Sequence, residues 1–164
     1  MAAPRPRSAL ALDLGRRRIG LAGCDALGLT VTPLPPLRND GLPLTASRLL
    51  AVARERRARA LVVGLPLDAD QRGTRQAQHC RRIGLQLARR LAAAGLPLPV
   101  AWVNEHASTW AAAERHGLHG DRSGRLDSAA AAILLEQWLR EGPEPEPVPA
   151  ANDVPGGRGA AGSS

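Results

Sequence analysis

Three carboxylates stand at the ends of predicted regular elements in this chain of 164 residues. Asp13 follows the apolar run 8–12, Glu105 follows the apolar run 99–103, and Asp127 precedes an apolar helical stretch. Taken singly, each has an ordinary structural explanation, because Asp closes turns and is a favoured helix N-cap. Taken together, they are oxygen ligands of the kind that Mg²⁺ or Mn²⁺ prefers. Two such ions can clamp the attacking and leaving oxygens of a phosphodiester displacement, so the set favours a metal-dependent nuclease.

The charge of the chain favours a polyanionic partner. All 22 basic residues are Arg, the formal net charge is +7, and the pI is near 11.3. Candidate phosphate contacts lie in a predicted turn beside Asp13 and along a predicted helix: Arg16, Arg17, Arg18, Arg75 and Arg82. For the helix, a solvated face that only keeps the protein soluble is nearly as good an explanation. Aromatic residues make up only 2% of the chain, which argues against a surface that reads single strands by base stacking.

The apolar patterns alternate between strand and helix. Strands are predicted at 8–12, 19–24, 29–32, 60–65 and 99–103, with the third stopped by Pro33. Helices are predicted at 45–58, 74–94 and 126–140, with a short one beginning at Ser108. This order predicts an α/β fold: a mixed sheet of three antiparallel strands followed by βα units, with helices on both faces. Open sheets of this kind place their sites at the carboxyl ends of strands.

Composition divides the chain into three parts. Residues 1–7 are predicted to be a flexible arm and residues 8–141 a single domain. Residues 142–164 form an acidic, Pro- and Gly-rich tail, which is predicted to be disordered and dispensable for folding. No apolar run approaches the roughly 20 residues that span a bilayer. We therefore expect a cytoplasmic protein without a membrane partner.

Four segments resemble the motifs of the YqgF, or RuvX, family, in the same order along the chain. They are A-L-D-L-G-R-R-R-I-G-L around Asp13, V-V-G-L-P-L-D-A-D-Q-R-G-T, V-N-E-H-A-S-T around Glu105, and L-D-S-A-A-A-A-I-L-L around Asp127. The resemblance covers roughly residues 10–140. It implies an RNase H-like fold and a nuclease that matures pre-16S rRNA or resolves Holliday junctions.

The resemblance also implies roles for individual residues. The catalytic and metal-binding residues would be Asp13, Glu105 and Asp127, with Mg²⁺ or Mn²⁺ as cofactor. Gly64 and Gly73 flank a loop that would approach the phosphate backbone closely. Asn104 and His106 stand where the family usually has Asp and Arg. His106 can still donate a hydrogen bond to a phosphate.

The leading hypothesis is a metal-dependent nuclease acting in 5′-end maturation of pre-16S rRNA. The alternative substrate is branched DNA, for which paired cuts favour a homodimer over a monomer. A non-catalytic RNA-binding module ranks lower. A phosphate-binding ATPase or kinase of related topology ranks low as well, because such proteins need a second domain.

Overall fold

The computed structural model describes residues 7–66, 75–104 and 125–149, with side chains of the last range described from residue 128. The elements follow one another as β1 (Ala9–Leu14), β2 (Arg18–Cys24), β3 (Val31–Arg38), α1 (Leu42–Glu55), β4 (Ala60–Leu65), α2 (Arg75–Ala93), β5 (Val100–Asn104) and α3 (Arg125–Glu141). The short helix predicted from Ser108 lies outside the described residues. Within those residues, no helix is both long and apolar enough to cross a membrane.

One five-stranded sheet organises the fold, with the strand order β3-β2-β1-β4-β5. β2 pairs antiparallel with β1 and β3, whereas β1, β4 and β5 run parallel to one another. This confirms the predicted mixed sheet of three antiparallel strands followed by βα units. The carboxyl ends of β1, β4 and β5 consequently meet at one end of the sheet, which we call the carboxyl edge. The opposite edge is the amino edge.

The two faces of the sheet are covered by different helices, because alternate residues of a strand point to opposite sides. Leucines of β1 and β4 pack with Leu49 of α1 and Leu87 of α2. Alanines and valines of the same strands pack on the other face against α3, where Trp138 is fully buried. Helices therefore lie on both faces, as predicted. In β1, this alternation assigns Asp13 to the α3 face, with Ala9 and Ala11.

The prediction that Pro33 stops the third strand is wrong. β3 continues to Arg38 through three prolines, Pro33, Pro35 and Pro36. β3 is an outer strand, paired only with β2, so one of its two hydrogen-bonding sides needs no N–H donors. The register between β2 and β3 shifts between Ile19 and Leu21, near the last two prolines.

The prediction of disorder from residue 142 is wrong for residues 142–149, which form an ordered segment that we call the C-terminal strap. Glu146 exchanges two backbone hydrogen bonds with Val100 of β5, at 2.8 and 2.9 Å. The indole Nε1 of Trp138 donates to the Pro143 carbonyl at 2.7 Å. Glu144 forms an ion pair with Arg7. The strap thus fastens α3, β5 and the start of the domain together, and residues 150–164 lie outside the described residues.

Candidate active site

Asp13 lies between two glycines in the sheet. Gly20 of β2 is its partner across the antiparallel pair. On the other side, Leu12 pairs with Val63, so the next residue of β4, Gly64, lies beside Asp13. Because neither glycine carries a side chain, the half-buried carboxylate has no Cβ beside it in the neighbouring strands. We call this arrangement, with Gly20, Asp13 and Gly64 side by side on the α3 face, the glycine row.

Gly64 lies in β4, within the strand predicted at 60–65, and is buried opposite Val103 of β5. β4 ends at Leu65, one residue after Gly64. Gly73 lies outside the described residues.

The start of α3 is attached to the sheet near the glycine row. The backbone N–H of Leu21 donates to Ser128 Oγ at 3.3 Å, at the place where the β2–β3 register shifts. Leu21 lies opposite Leu12 and directly follows Gly20. This bond fixes the backbone immediately after Asp127 close to the strand position that holds Asp13. The side chain of Asp127 is not among those described.

β5 reaches the same edge. Its last residue, Asn104, pairs with Leu65 at the end of β4. β5 lies two strands away from β1, which corresponds to about 10 Å between their backbones. Glu105 follows Asn104 directly in the sequence, and both Glu105 and His106 lie outside the described residues. Within the described residues, no group of three His, Cys, Asp or Glu side chains is placed to hold a metal ion.

The basic turn between β1 and β2 is held in shape by its neighbours. The Gly15 N–H donates to the Arg18 carbonyl at 3.1 Å, and a Cβ on Gly15 would lie 2.5 Å from that oxygen. Asn39 braces the turn from outside, since its side-chain amide donates to the Gly15 carbonyl and its N–H to the Arg17 carbonyl. Arg16 and Arg17 are exposed in the turn that follows β1, whereas Arg18 is half-buried in β2.

Three arginines of α2, Arg75, Arg82 and Arg89, recur every seven residues but do not share one environment. Arg75 and Arg82 are exposed, and Arg82 contacts His79 at 2.8 Å. Arg89 is half-buried, and its Nε donates to the Pro149 carbonyl of the strap. These three arginines therefore divide into a pair of exposed cations near the carboxyl edge and a third that holds the strap.

Another carboxylate near this edge, Asp40, is committed to a surface ion pair. Arg48 donates to Asp40 at 2.7 Å, and this hydrogen bond holds the pKa of the carboxyl below its usual value. Sequence reasoning missed Gly20, Asn39 and Ser128 as supports of the site. Gly20 lies in the first motif, but its place beside Asp13 depends on strand pairing and has no signal in the sequence alone.

Comparison with known proteins decides the family. The family model described as "RuvX: Holliday junction resolvase" matches residues 7–141. The chain belongs to the RuvX family. This confirms the resemblance that the four motifs carry.

RuvX relatives match nearly the whole chain. A protein of Synechococcus sp. (strain CC9605) is 63% identical over 145 residues, which covers 88% of this chain and 89% of the relative. A protein of Prochlorococcus marinus (strain MIT 9313) is 60% identical over 145 residues and covers 88% and 87%, respectively. Both carry the name "Putative pre-16S rRNA nuclease". The solved structure of T. thermophilus RuvC in complex with Holliday junction substrate shares 16% identity at a TM-score of 0.48, covering 86% of this chain and 99% of that one.

Proposed function

We propose that this protein is a metal-dependent nuclease that acts in 5′-end maturation of pre-16S rRNA. The observation that carries the proposal is the glycine row at the carboxyl edge. It presents one carboxylate, Asp13, on a central strand between two residues that carry no side chain. A cation or a phosphate can approach a carboxylate between glycines more closely than one between larger side chains.

The proposed ligands fit a hard divalent cation, because carboxylate oxygens are the donors that Mg²⁺ and Mn²⁺ prefer. Asp13, Glu105 and Asp127 would hold the ion. When bound, it would activate water as a nucleophile and stabilise the charge that develops on the phosphate. The Ser128–Leu21 bond supports this set, since it attaches the start of α3 next to the strand of Asp13.

Arginines of the chain would hold the nucleic-acid backbone. Arg16 and Arg17 are exposed in the turn that follows β1, and their guanidinium groups match phosphate oxygens in charge and geometry. Arg75 and Arg82 extend this surface along α2. Gly64, Gly73 and His106 would lie where the nucleic-acid strand passes the proposed metal site.

RNA is the proposed substrate because relatives that cover the same length of chain are named for pre-16S rRNA. The proposed location is therefore the cytoplasm. Branched DNA is the second candidate, favoured by the description of the matching family model. Cleavage of a junction would need two sites, and hence a homodimer, whereas cleavage of RNA needs only a monomer.

A substrate panel separates these functions. The full chain is incubated with labelled 16S precursor RNA, single-stranded DNA and a four-way DNA junction, each with Mn²⁺, Mg²⁺ or EDTA. We expect RNA cleavage that requires the metal. Preferential cutting of the junction would establish the second candidate. Binding without cleavage under every condition would leave only an RNA-binding module.

A further inference from the structure

A cavity of about 630 Å³ lies between α1, α2 and the β1–β2 turn. It is on the face of the sheet opposite α3. Aliphatic side chains from three directions form its floor: Leu14, Ile19, Leu42, Ile83 and Leu87. Its volume falls within the roughly 300–1,000 Å³ that small-molecule sites occupy. The floor can therefore receive a flat apolar group of considerable size.

The rim of this cavity is cationic. Arg16 from the turn and Arg75 from α2 both line it, and both side chains belong to exposed residues. None of the described residues that line it is acidic. A ligand with an anionic end is therefore favoured over a neutral or cationic one.

A fixed polar wall lies on the α1 side. Asn39 donates to the Gly15 carbonyl at 3.1 Å and accepts from the Thr45 hydroxyl at 3.4 Å. These bonds tie the basic turn to the first turn of α1, so the wall does not need to be ordered when a ligand binds. Gln76 lines the cavity as well and is exposed. Its amide can exchange hydrogen bonds with a polar edge of the ligand.

The cavity adjoins the proposed catalytic position along the chain. Leu14 and Gly15, which line it, directly follow Asp13. Asp13 belongs to the α3 face and Leu14 to the other, so the cavity begins where the chain leaves the glycine row. The cavity and Asp13 therefore lie on opposite faces at the same end of the sheet, joined by Leu14 and Gly15.

We propose that this cavity binds one unstacked nucleotide of the substrate, with its base on the aliphatic floor and its phosphate between Arg16 and Arg75. The inference rests on the proposed nuclease function and adds a substrate preference to it. A base that must enter a cavity has to leave its stack, which costs least in single-stranded or looped RNA. The site would therefore favour single-stranded segments over continuous duplex.

Mononucleotide binding tests the proposal without any cleavage. Calorimetry of the full chain in EDTA compares AMP and UMP with ribose 5-phosphate and inorganic phosphate. We expect the nucleotides to bind roughly tenfold more tightly than ribose 5-phosphate, because only they bury a base. Arg75→Gln should weaken every phosphorylated probe roughly tenfold. Arg90→Gln, an exposed arginine at the other end of the same helix, is the matched control and should change nothing.

Two variants that fill the cavity test the base contact. Leu42→Phe from α1 and Ile83→Phe from α2 should each reduce nucleotide binding to the level of ribose 5-phosphate, and thermal unfolding shows which variant remains folded. Equal binding of nucleotides and ribose 5-phosphate by the wild-type protein would overturn the proposal. So would an equal loss in Arg75→Gln and Arg90→Gln. A protein that cleaves RNA but binds no nucleotide refutes only the pocket, whereas one that binds nucleotides but cleaves nothing refutes only the nuclease.

Discussion

Two aspartates mark opposite ends of the sheet, and their surroundings differ. Asp25 follows β2 at the amino edge, and its Oδ1 accepts the backbone N–H groups of Leu29 and Thr30 at 2.7 and 3.0 Å. The bond from Thr30 is the main reason why the pKa of this carboxyl lies below its usual value. Asp25 therefore closes a turn. Asp13, at the carboxyl edge, lies in a row with two glycines. Both are aspartates near the end of a strand, and the residues beside them differ: a turn for Asp25 and the glycine row for Asp13.

Other residues at the amino edge also form hydrogen bonds that hold the fold together. The Arg59 N–H donates to the Ser8 carbonyl at 2.7 Å, and the Leu61 N–H donates to the Pro99 carbonyl at 2.9 Å. The strap closes the start of β5 at the same end. We therefore expect substitutions at the carboxyl edge to change activity and substitutions at the amino edge to change stability.

The largest effect is expected for Asp13→Asn. The substitution keeps the shape of the side chain but removes the charge that would attract the cation. Metal-dependent cleavage should fall roughly 10³-fold, which corresponds to the several kcal/mol that such an ion supplies. Single-turnover cleavage rates measure the loss of activity, and thermal unfolding measures whether stability is kept. Full activity in a folded Asp13→Asn protein would remove Asp13 from the site.

Gly64→Val tests whether the absence of a side chain beside Asp13 matters. Val suits a strand, so the fold should survive, but its side chain would occupy the glycine row. We expect cleavage to fall roughly 10²-fold, as it does when reacting groups are displaced by about 1 Å. Gly23→Val is the matched control near the amino edge, where a new Cβ would meet the Arg56 guanidinium 2.4 Å away. It should lower the melting temperature and leave cleavage per folded molecule unchanged; the reverse pattern would contradict the comparison.

Truncation after Gly142 tests the strap. It removes the Glu146–Val100 bonds and the carbonyl partner of the fully buried Trp138. We expect a loss of about 2–3 kcal/mol in unfolding free energy. This corresponds to a melting temperature roughly 6–10 °C lower. Truncation after Pro149 keeps the strap and should melt like the full chain. Equal melting temperatures for the two truncated proteins would show that the strap adds no stability.

The arginines of α2 should separate by environment. Arg75→Gln with Arg82→Gln should make RNA binding less dependent on salt, by about 0.7 in the logarithmic slope for each phosphate that the protein no longer neutralises. Arg89→Gln should leave the slope unchanged and lower the melting temperature, because Arg89 donates to the strap. Binding titrations over a range of salt concentrations measure the slopes. An equal change of slope for each of the three arginines would show instead that all three contact the nucleic acid.

The smallest effect concerns Asp25 and acid. Because its folded-state pKa lies below the ordinary value of 3.8, the stability that Asp25 contributes is present above that value. It is lost as the pH falls through the lowered folded-state pKa. Asp25→Asn should therefore be slightly less stable than the wild-type protein at neutral pH. The gap should close as the pH falls below about 4. Denaturant midpoints at several pH values check this, and a constant gap would contradict it.

Sequence patterns predicted the central part of this fold well, because buried strands such as β4 are continuous apolar runs. They failed where the outcome depends on position in the assembled sheet. The prolines of β3 are tolerated only because β3 is an outer strand of the sheet. The strap is polar in composition and becomes ordered through docking on β5 and Trp138.

The candidate site was likewise predictable from the sequence only in part. Asp13 and the basic turn are recognisable as a motif, and the structure describes both. The glycine row is a property of register, since Gly20 and Gly64 are brought to Asp13 by two different strand pairings. Arg89 differs from Arg75 and Arg82 because it contacts the strap. The seven-residue spacing of these arginines does not indicate that contact.

Both outer strands of the sheet resist the addition of a further strand. Three residues of β3 are prolines and lack the N–H that a new neighbour would need. At β5, the strap already takes both backbone groups of Val100. We therefore expect this protein to withstand edge-to-edge aggregation in its folded state. Two copies that paired to cut a junction would have to meet through helices or turns rather than by extending the sheet from one chain into the next.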